Sequence, residues 1–590
     1  MTDIKKKRLV TKIEVLLICL AVVFIVCQVI LDLAIPGFMS NITKLIKQTD
    51  TQVPQILSEG GLMILCAIGS GLCSIIVGFA MARLSAGVTR NIRNNIFVKV
   101  SELGVSEVQK FSTASLITRT TNDVRQVAMF IAFGLQVIIK APIMATLAIV
   151  KIVGKSWELS LATMVSVGLM LVVFLMVVLF VIPKFKKIQT QTDELNNVAR
   201  ENLLGIRVVH AFNAEDFEQN KFEKTNSNLT KTNLFVGRLM SAVNPFMSFV
   251  MNGLSLAIFV IGAFLINSAG DLEKIGVFGD IVVFSSYAIQ VVISFMLLAV
   301  ILFILPRAIV SMRRINEVLK TKSTIVSGDG DFETSAVGEI EFNGVSFSYP
   351  GAKEKVLEDI SFKANSGQTI AIIGSTASGK STLVNLLARF YDPTNGEILV
   401  DNVNISNYKL EDLYNKIGYI SQTSTILSGT IYDNVSLGNG SNGKPSREDV
   451  LEAIKISQAE DFVLAREKNI DDDINQGGTN LSGGQKQRLN IARAIAKKPE
   501  ILIFDDSFSA LDYKTDKLLR KALKKELSGT TIVIVAQRIG TIKDADLILV
   551  LDNGKIVGKG SHKELLNSCN VYKEIALSQL SEEELKDGSR

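Results

Sequence analysis

Six segments in the first 305 residues are almost continuously apolar, at 15–39, 60–83, 127–151, 157–183, 244–267 and 281–305. Each is long enough to cross a bilayer, which takes about 20 helical residues. The fourth, LATMVSVGLMLVVFLMVVLFVI, is uninterrupted. The first and second are softened by Asp32, Pro36 and several glycines, which membrane helices tolerate where neighbouring helices satisfy the freed backbone groups. Near residue 325 the pattern changes to short β-branched runs between Gly-, Asp- and Lys-rich stretches, the alternation of an α/β domain. Residues 321–337 are polar and glycine-containing and read as a linker. The expected organisation is a six-helix transmembrane domain over 1–325 and an α/β domain over 338–580.

The basic residues orient the first half. Those at 5–8, 83–110 and 184–187 fall on one side if the N-terminus and the second and fourth connections are cytoplasmic. The external connections are then short, as at 155–158. The two cytoplasmic stretches, roughly 40 and 60 residues long, read as helical, so the membrane helices are expected to continue into the cytosol. The start, MTDIKKKRLVTKIEV, has the basic patch of a signal peptide. The apolar run behind it is too long, and no small-residue cleavage site follows, so it reads as a first transmembrane helix.

Composition agrees with a membrane part and a soluble part: 590 residues at 48% apolar are too many for one domain and too apolar for an ordinary soluble one. The formal charge of +5 comes without a basic stripe interleaved with aromatics, so nucleic acid is not an expected partner. Cys19, Cys27, Cys66, Cys73 and Cys569 show no CxxC or Cys/His spacing and read as packing residues. Asp32 and Lys140 are isolated charges placed, at about 1.5 Å per residue, in the middle to outer leaflet. A structural ion pair or snorkelling position and a role in a substrate cavity both remain open for them.

The second half carries the chemistry. The strand QTIAIIG runs into GSTASGKST and then into the helical LVNLLARF, which is the phosphate-loop pattern GxxxxGK[ST] in its strand–loop–helix context. Backbone N–H groups of Gly374, Ser375, Thr376, Ala377, Ser378 and Gly379 would curl around phosphate oxygens at a helix N-terminus. Lys380 would reach the β- and γ-phosphates, Ser381 would hold Mg²⁺, and Thr382 closes the motif. The apolar strand ILIFD presents Asp505 at its C-terminal end for a second Mg²⁺ contact. Between them lies LSGGQKQRLNIARAIAKKP, beginning at Leu481.

LSGGQ ahead of a basic, alanine-containing helix resembles the signature of the ATP-binding cassette superfamily. The rest of the chain falls into register with it. GYISQ supplies a Q-loop glutamine, Gln422, which in the family also contacts Mg²⁺. VSFSYP supplies Tyr349, for stacking on adenine, and SALD resembles the D-loop. FSTASLITRTTNDV and RENLLGIRVVHAFNAEDFE are similar to the two intracellular segments of exporter-type members. The resemblance covers nearly the whole chain and implies a multi-domain, multi-pass protein of the cell membrane, of bacterial type. Its N-terminus and α/β P-loop nucleotide-binding domain would be cytoplasmic. It also implies dimerisation, because Leu481, Ser482, Gly483, Gly484 and Gln485 of one cassette complete the ATP site of the other.

Two positions depart from the family. Asp506 stands where a glutamate orients or deprotonates the attacking water, and its shorter side chain withdraws the carboxylate by roughly 1.5 Å, enough to cost about 100-fold in rate. Gln537, in VIVAQRIG, stands where a histidine contacts the γ-phosphate; it donates a hydrogen bond but carries neither proton nor charge. The only histidines are His210 and His562. A weaker departure puts Asn475 and Gln476 where a glycine–glutamate pair is common. With its phosphate loop and signature intact, the chain resembles the degenerate-site half of bacterial heterodimeric multidrug exporters. The expected partner is a second half-transporter bearing the glutamate and histidine, and the expected cargo is a hydrophobic or amphipathic small molecule taken from lipid or cytoplasm. A slow homodimeric exporter of lipid or peptide, an ATP-gated regulator without transport, and an importer are the alternatives.

Overall fold

The computed structural model describes residues 8–9, 11–46, 53–152, 156–268, 270, 274–330, 332, 337–440 and 443–579. Lys5 to Lys7, Lys155, linker residues 331 and 333–336, and the tail 580–590 lie outside them. The chain divides into two compact units, one of residues 1–101 and 113–321, the other of residues 102–112 and 322–590.

Among its described residues the first unit contains six long apolar helices: α1 (Lys12–Ile46), α2 (Val53–Glu102), α3 (Thr113–Ile152), α4 (Trp157–Leu204), α5 (Glu215–Ser268) and α6 (Lys274–Lys320). Each contains one of the six expected apolar runs and extends past it. The 50 residues of α2 reach about 75 Å at 1.5 Å per residue, far more than the roughly 30 Å of hydrocarbon. Helix ends follow local chemistry. The Ser156 Oγ caps α4 by accepting from the Leu159 N–H (3.4 Å), and Gly205 terminates it. Glu215, Asp216 and Glu218 complement the dipole in the first turn of α5.

Helix α3 is wound more loosely at Arg119–Asp123 and Phe130–Gly134, where single π-turns interrupt it. At the second, a Cβ on residue 134 would lie 2.7 Å from the Phe130 ring, so the bulge depends on glycine. At the first, Arg119 Nη1 lies 2.8 Å from Glu317 Oε2, and Ser311 Oγ donates to Asp123 Oδ1 (2.9 Å), tying α3 to α6.

The described residues of the second unit form twelve strands: β1 (Ile340–Phe347), β2 (Leu357–Ala364), β3 (Thr369–Gly374), β4 (Asn395–Val400), β5 (Val403–Asn404), β6 (Ile417–Ile420), β7 (Gly429–Thr430), β8 (Asp473–Ile474), β9 (Ile501–Asp505), β10 (Thr531–Val535), β11 (Leu547–Asp552) and β12 (Lys555–Gly560). They form a four-stranded antiparallel sheet, β2-β1-β4-β5, a six-stranded sheet, β12-β11-β3-β10-β9-β6, and the pair β7-β8. The larger sheet is parallel apart from its edge strand β12. Both of its faces are covered: Ile370, Ile372, Ile503 and Val533 enter one core, and Ala371, Ile373, Leu502 and Phe504 the other. That is why these strands read as unbroken apolar runs.

The short helix Val105–Phe111 packs within this second unit. The Thr324 Oγ1 donates to Glu107 Oε1 (2.9 Å) and the Tyr391 hydroxyl to Gln109 Oε1 (3.4 Å).

Candidate nucleotide site

Strand register brings the chemistry together. Val535 pairs with both Ile372 and Asp505, and Ile420 pairs with Phe504. The parallel strands β3, β9, β10 and β6 therefore end at one edge, and the residues that follow them meet there. This is where open α/β sheets hold ligands. A cavity of about 450 Å³ at that edge is lined by Thr376 to Thr382 together with Val356, Gln422, Asp506, Val535 and Gln537.

The phosphate loop has a backbone that few residues permit. Gly379 has φ +99, and a Cβ there would lie 2.6 Å from Leu357 Cδ2; at Gly374 it would lie 2.1 Å from the Leu551 carbonyl oxygen. Ala377 adopts φ 65 without the freedom of glycine. The buried Ser378 Oγ has no hydrogen-bond partner among the described residues. A cradle of exposed backbone with an unsatisfied hydroxyl fits a polyphosphate. Lys380, the first residue of the following helix Lys380–Leu387, donates to the carbonyls of Gly374 (3.0 Å) and Ser375 (2.7 Å). Burial pulls its pKa below the ordinary lysine value, while Asp506 and Asp505 oppose the shift.

Ser381 Oγ donates to Asp505 Oδ1 (2.9 Å), and the Tyr419 hydroxyl donates to Asp505 Oδ2 (3.2 Å). A hydroxyl and a carboxylate side by side suit Mg²⁺, a hard cation that takes one or two protein oxygens and fills its shell with water and phosphate. Among the described residues no cluster of three or more His, Cys, Asp or Glu forms a separate metal cage. Burial raises the pKa of Asp505, with the Ser381 and Tyr419 hydrogen bonds pulling the other way.

Asp506 sits in the left-handed region, φ 49, and its side chain is bracketed. The Gln537 Nε2 donates to Asp506 Oδ2 at 2.7 Å, and the Gln422 Nε2 donates to the same oxygen at 3.2 Å. Burial raises the Asp506 pKa first of all; the Gln537 hydrogen bond counters it and the neighbouring Asp505 charge adds to it. Neither histidine lines this cavity: His562 Nδ1 lies 2.6 Å from the Tyr572 hydroxyl, and His210 Nδ1 lies 2.8 Å from Glu215.

Other predicted residues sit elsewhere. Tyr349 shares a hydrogen bond with Thr382 Oγ1 (3.0 Å) and meets Tyr391 edge-on at 5.3 Å. Leu481 to Gln485 do not line the cavity. Ser482 caps the helix Gly483–Ala496 through a reciprocal pair with Gln485, the Gln485 N–H donating to Ser482 Oγ (3.3 Å) and the Ser482 N–H to Gln485 Oε1 (2.9 Å). Ser482 and Gly483 are exposed. Asn475 is held by the Asn480 side chain, which accepts from its N–H at 3.1 Å.

Sequence reasoning overlooked Tyr419, although it stands in β6 only three residues before Gln422, which follows that strand. It also overlooked the surroundings of Asp32. Lys140 Nζ lies 3.6 Å from Asp32 Oδ2, and both Ser70 Oγ and the Gln290 amide donate to Asp32, the latter at its carbonyl (3.5 Å). Lys140, on α3, makes the ion pair that was one of the two readings; Ser70 and Gln290 come from α2 and α6, so spacing along α1 carries no trace of them.

Comparison with known proteins identifies the family. The family described as ABC transporter transmembrane region matches residues 18–296, and that described as ABC transporter matches residues 357–509. The uncharacterized ABC transporter ATP-binding protein Rv1273c of Mycobacterium tuberculosis is 38% identical over 526 residues, 89% of this chain and 88% of that protein. YfiB of Bacillus subtilis, described in the same terms, is 34% identical, with 89% and 90% covered. An ATP-dependent lipid A-core flippase of Pseudomonas aeruginosa is 32% identical, with 88% and 85% covered. The solved structure of a bacterial Atm1-family ABC exporter with ATP bound superposes with a TM-score of 0.79 at 24% identity, over 96% of this chain and 99% of that one, a likeness of fold. The chain belongs to the ABC transporter family. It is a multi-pass membrane protein with a cytoplasmic ABC domain and the fold of an ABC exporter.

Proposed function

We propose that this chain is one half of an ATP-driven exporter and that its own Walker motifs form a degenerate site that holds ATP·Mg²⁺ and turns it over poorly. The observation that carries this reading is the bracketing of Asp506. Both glutamine amides donate to one oxygen of a carboxylate already one methylene short of a glutamate. A base held back by two donors is poorly placed to orient or deprotonate water on the γ-phosphate. Lys380 and the phosphate-loop N–H groups bind the phosphates, Ser381 and Asp505 hold the cation together with Gln422, and Tyr349 stacks on the adenine. Mg²⁺ supplies charge neutralisation between the phosphates.

Ser482 and Gly483, which are exposed, complete with Gly484 and Gln485 the ATP site of a partner half-transporter that carries glutamate and histidine, and hydrolysis occurs there. Exposed apolar side chains at the turn between α4 and α5, including Leu203, Leu204, Val208 and Phe212, supply the surface for that second subunit. ATP-driven closure of the cassettes moves a hydrophobic or amphipathic compound outward by alternating access. The test is ATPase activity in lipid of this chain alone and with its candidate partner. Negligible activity alone and robust activity together, lost when the partner's glutamate is changed, are expected. Comparable activity alone would overturn the reading and make Asp506 a working base.

A second reading, lipid export by a homodimer, is favoured by the matches to lipid A-core flippases at 31% and 32% identity. Equal lipid-stimulated ATPase per cassette in the purified homodimer would select it.

A further inference from the structure

The C-terminal end of the described chain touches the backbone of Gln537. The Gln579 Nε2 donates to the Gln537 carbonyl oxygen at 2.7 Å, and the Gln579 Oε1 accepts from the Ile539 N–H at 2.9 Å. One side-chain amide thus spans Arg538 and pins the chain on both sides of it. Ile539 opens the helix Ile539–Ile542, whose N-cap residue, Arg538, makes no side-chain capping bond. Gln579 therefore satisfies from outside a donor that a helix N-terminus leaves orphaned. Gln579 is itself held. It follows the helix Asn570–Leu577, whose Tyr572 and Ala576 are fully buried, and its N–H donates to the Ala576 carbonyl (3.1 Å).

We propose that Gln579 is a positioning residue for the nucleotide site. A continuous set of hydrogen bonds leads from the buried C-terminal helix through Gln579 to the Gln537 backbone, and from the Gln537 side chain to Asp506. Before Gln537, Val535 and Ala536 are committed to the sheet; beyond Ile539, Arg520 Nη1 donates to the Gly540 carbonyl (3.0 Å), and Gln579 holds the segment between these two anchors. Gln579 fixes how far the Gln537 amide extends towards Asp506 and the γ-phosphate. The C-terminal helix thereby controls how long this site retains ATP. The inference rests on the reading of Gln537 as the γ-phosphate contact of an ATP-retaining site. It goes beyond that reading by assigning the contact's geometry to a residue 42 positions away.

The experiment measures the release rate of radiolabelled ATP from this chain's Walker site, in the assembled transporter in lipid nanodiscs. The variants are Gln579→Ala, Gln579→Glu, Gln537→Ala and the double change Gln579→Ala/Gln537→Ala. The loss of two hydrogen bonds predicts release about three- to tenfold faster for Gln579→Ala. Gln579→Glu keeps the acceptor for Ile539 and loses the donor to Gln537, so it should fall between Gln579→Ala and the unchanged protein. If Gln579 acts through Gln537, adding Gln579→Ala to Gln537→Ala should change release by less than about 1.5-fold. A purely structural role would give additive effects instead, and that result overturns the proposal. Gln537→Ala with fast release beside Gln579→Ala with unchanged release overturns the clamp and leaves the site reading standing. No change in either single variant overturns both. Gln579 is exposed, so the melting temperature of the transporter should not move; a fall in Gln579→Ala shifts the decision to Gln579→Glu, whose release equal to that of the unchanged protein would also overturn the clamp.

Discussion

The two units of this chain follow opposite burial patterns. In the membrane unit Leu72, Phe79 and Phe264 are more than half exposed on the folded chain, while Glu14, Gln28 and Asp123 are buried. In the cassette the aliphatic and aromatic residues of the central sheet, such as Ile370, Ile372, Leu502 and Phe504, are fully buried. The difference lies in the solvent. Lipid is as apolar as leucine, so α1 to α6 gain little by hiding apolar side chains and are joined by close packing and polar contacts. Water drives the cassette's aliphatic residues inward at roughly 25 cal/mol per Å².

The same contrast governs the two central aspartates. Asp32 has a cation partner on another helix, whereas Asp506 has two neutral amides. A carboxylate among membrane helices needs its charge compensated. One at the edge of a water-facing cavity can be held by dipoles and left free to meet a cation or phosphate.

The largest test of this contrast is Asp32→Ala, which leaves Lys140 uncompensated and is expected to cost about 3 kcal/mol, read as thermal inactivation in lipid. The double change Asp32→Asn/Lys140→Gln should recover most of that loss; a double variant as unstable as the single one would mean the pair is not what holds α1 to α3. Next is Lys380→Ala in the cassette. It is expected to weaken ATP binding about 100-fold, measured with a fluorescent analogue, with the melting temperature of the nucleotide-free protein unchanged or raised, because a half-buried cation is removed. Restoring the family pattern has a smaller effect. Asp506→Glu alone should change turnover by less than about threefold, since Gln537 still occupies the histidine position and glutamate tolerates φ 49 less well than aspartate; with Gln537→His it should rise about tenfold or more. Ser482→Ala removes a reciprocal helix cap and should cost about 1 kcal/mol of cassette stability in a denaturant titration.

The pH dependence sharpens the comparison last. Burial raises the folded-state pKa of Asp505 above its unfolded value, so the folded state binds the proton more tightly. Its ionisation opposes folding as pH rises through the raised pKa, and that cost remains at higher pH. Asp505→Asn should therefore raise the melting temperature of the nucleotide-free protein at neutral pH. The advantage should vanish below the ordinary aspartate range, and Mg²⁺-dependent ATP binding should be lost. An unchanged difference across pH would mean that the carboxylate is not held against its charge.

Much of the site was legible because its residues cluster in short motifs. The phosphate loop needs glycine where a Cβ would strike Leu551 or Leu357, and the apolar strands announce where their polar ends will lie. Gln579 was not legible: a glutamine in a polar C-terminal stretch carries no periodic or motif signal, and only folding brings it to Gln537. Helix α3 gives a similar lesson. Its apolar run predicted a span, but not the π-turns at Arg119–Asp123 and Phe130–Gly134, the first of which lies where Arg119 and Asp123 meet Glu317 and Ser311 of α6.

The sequence alone determined six spans, a phosphate loop, an acidic strand end, the LSGGQ signature and the absence of a histidine at position 537, because each is written in local spacing or residue type. The tertiary structure decided the pairing of Asp32 with Lys140, the bracketing of Asp506 by Gln422 and Gln537, and the hold of Gln579 on the strand end. Those depend on the register of parallel strands and on contacts between distant helices, which become fixed when the chain packs.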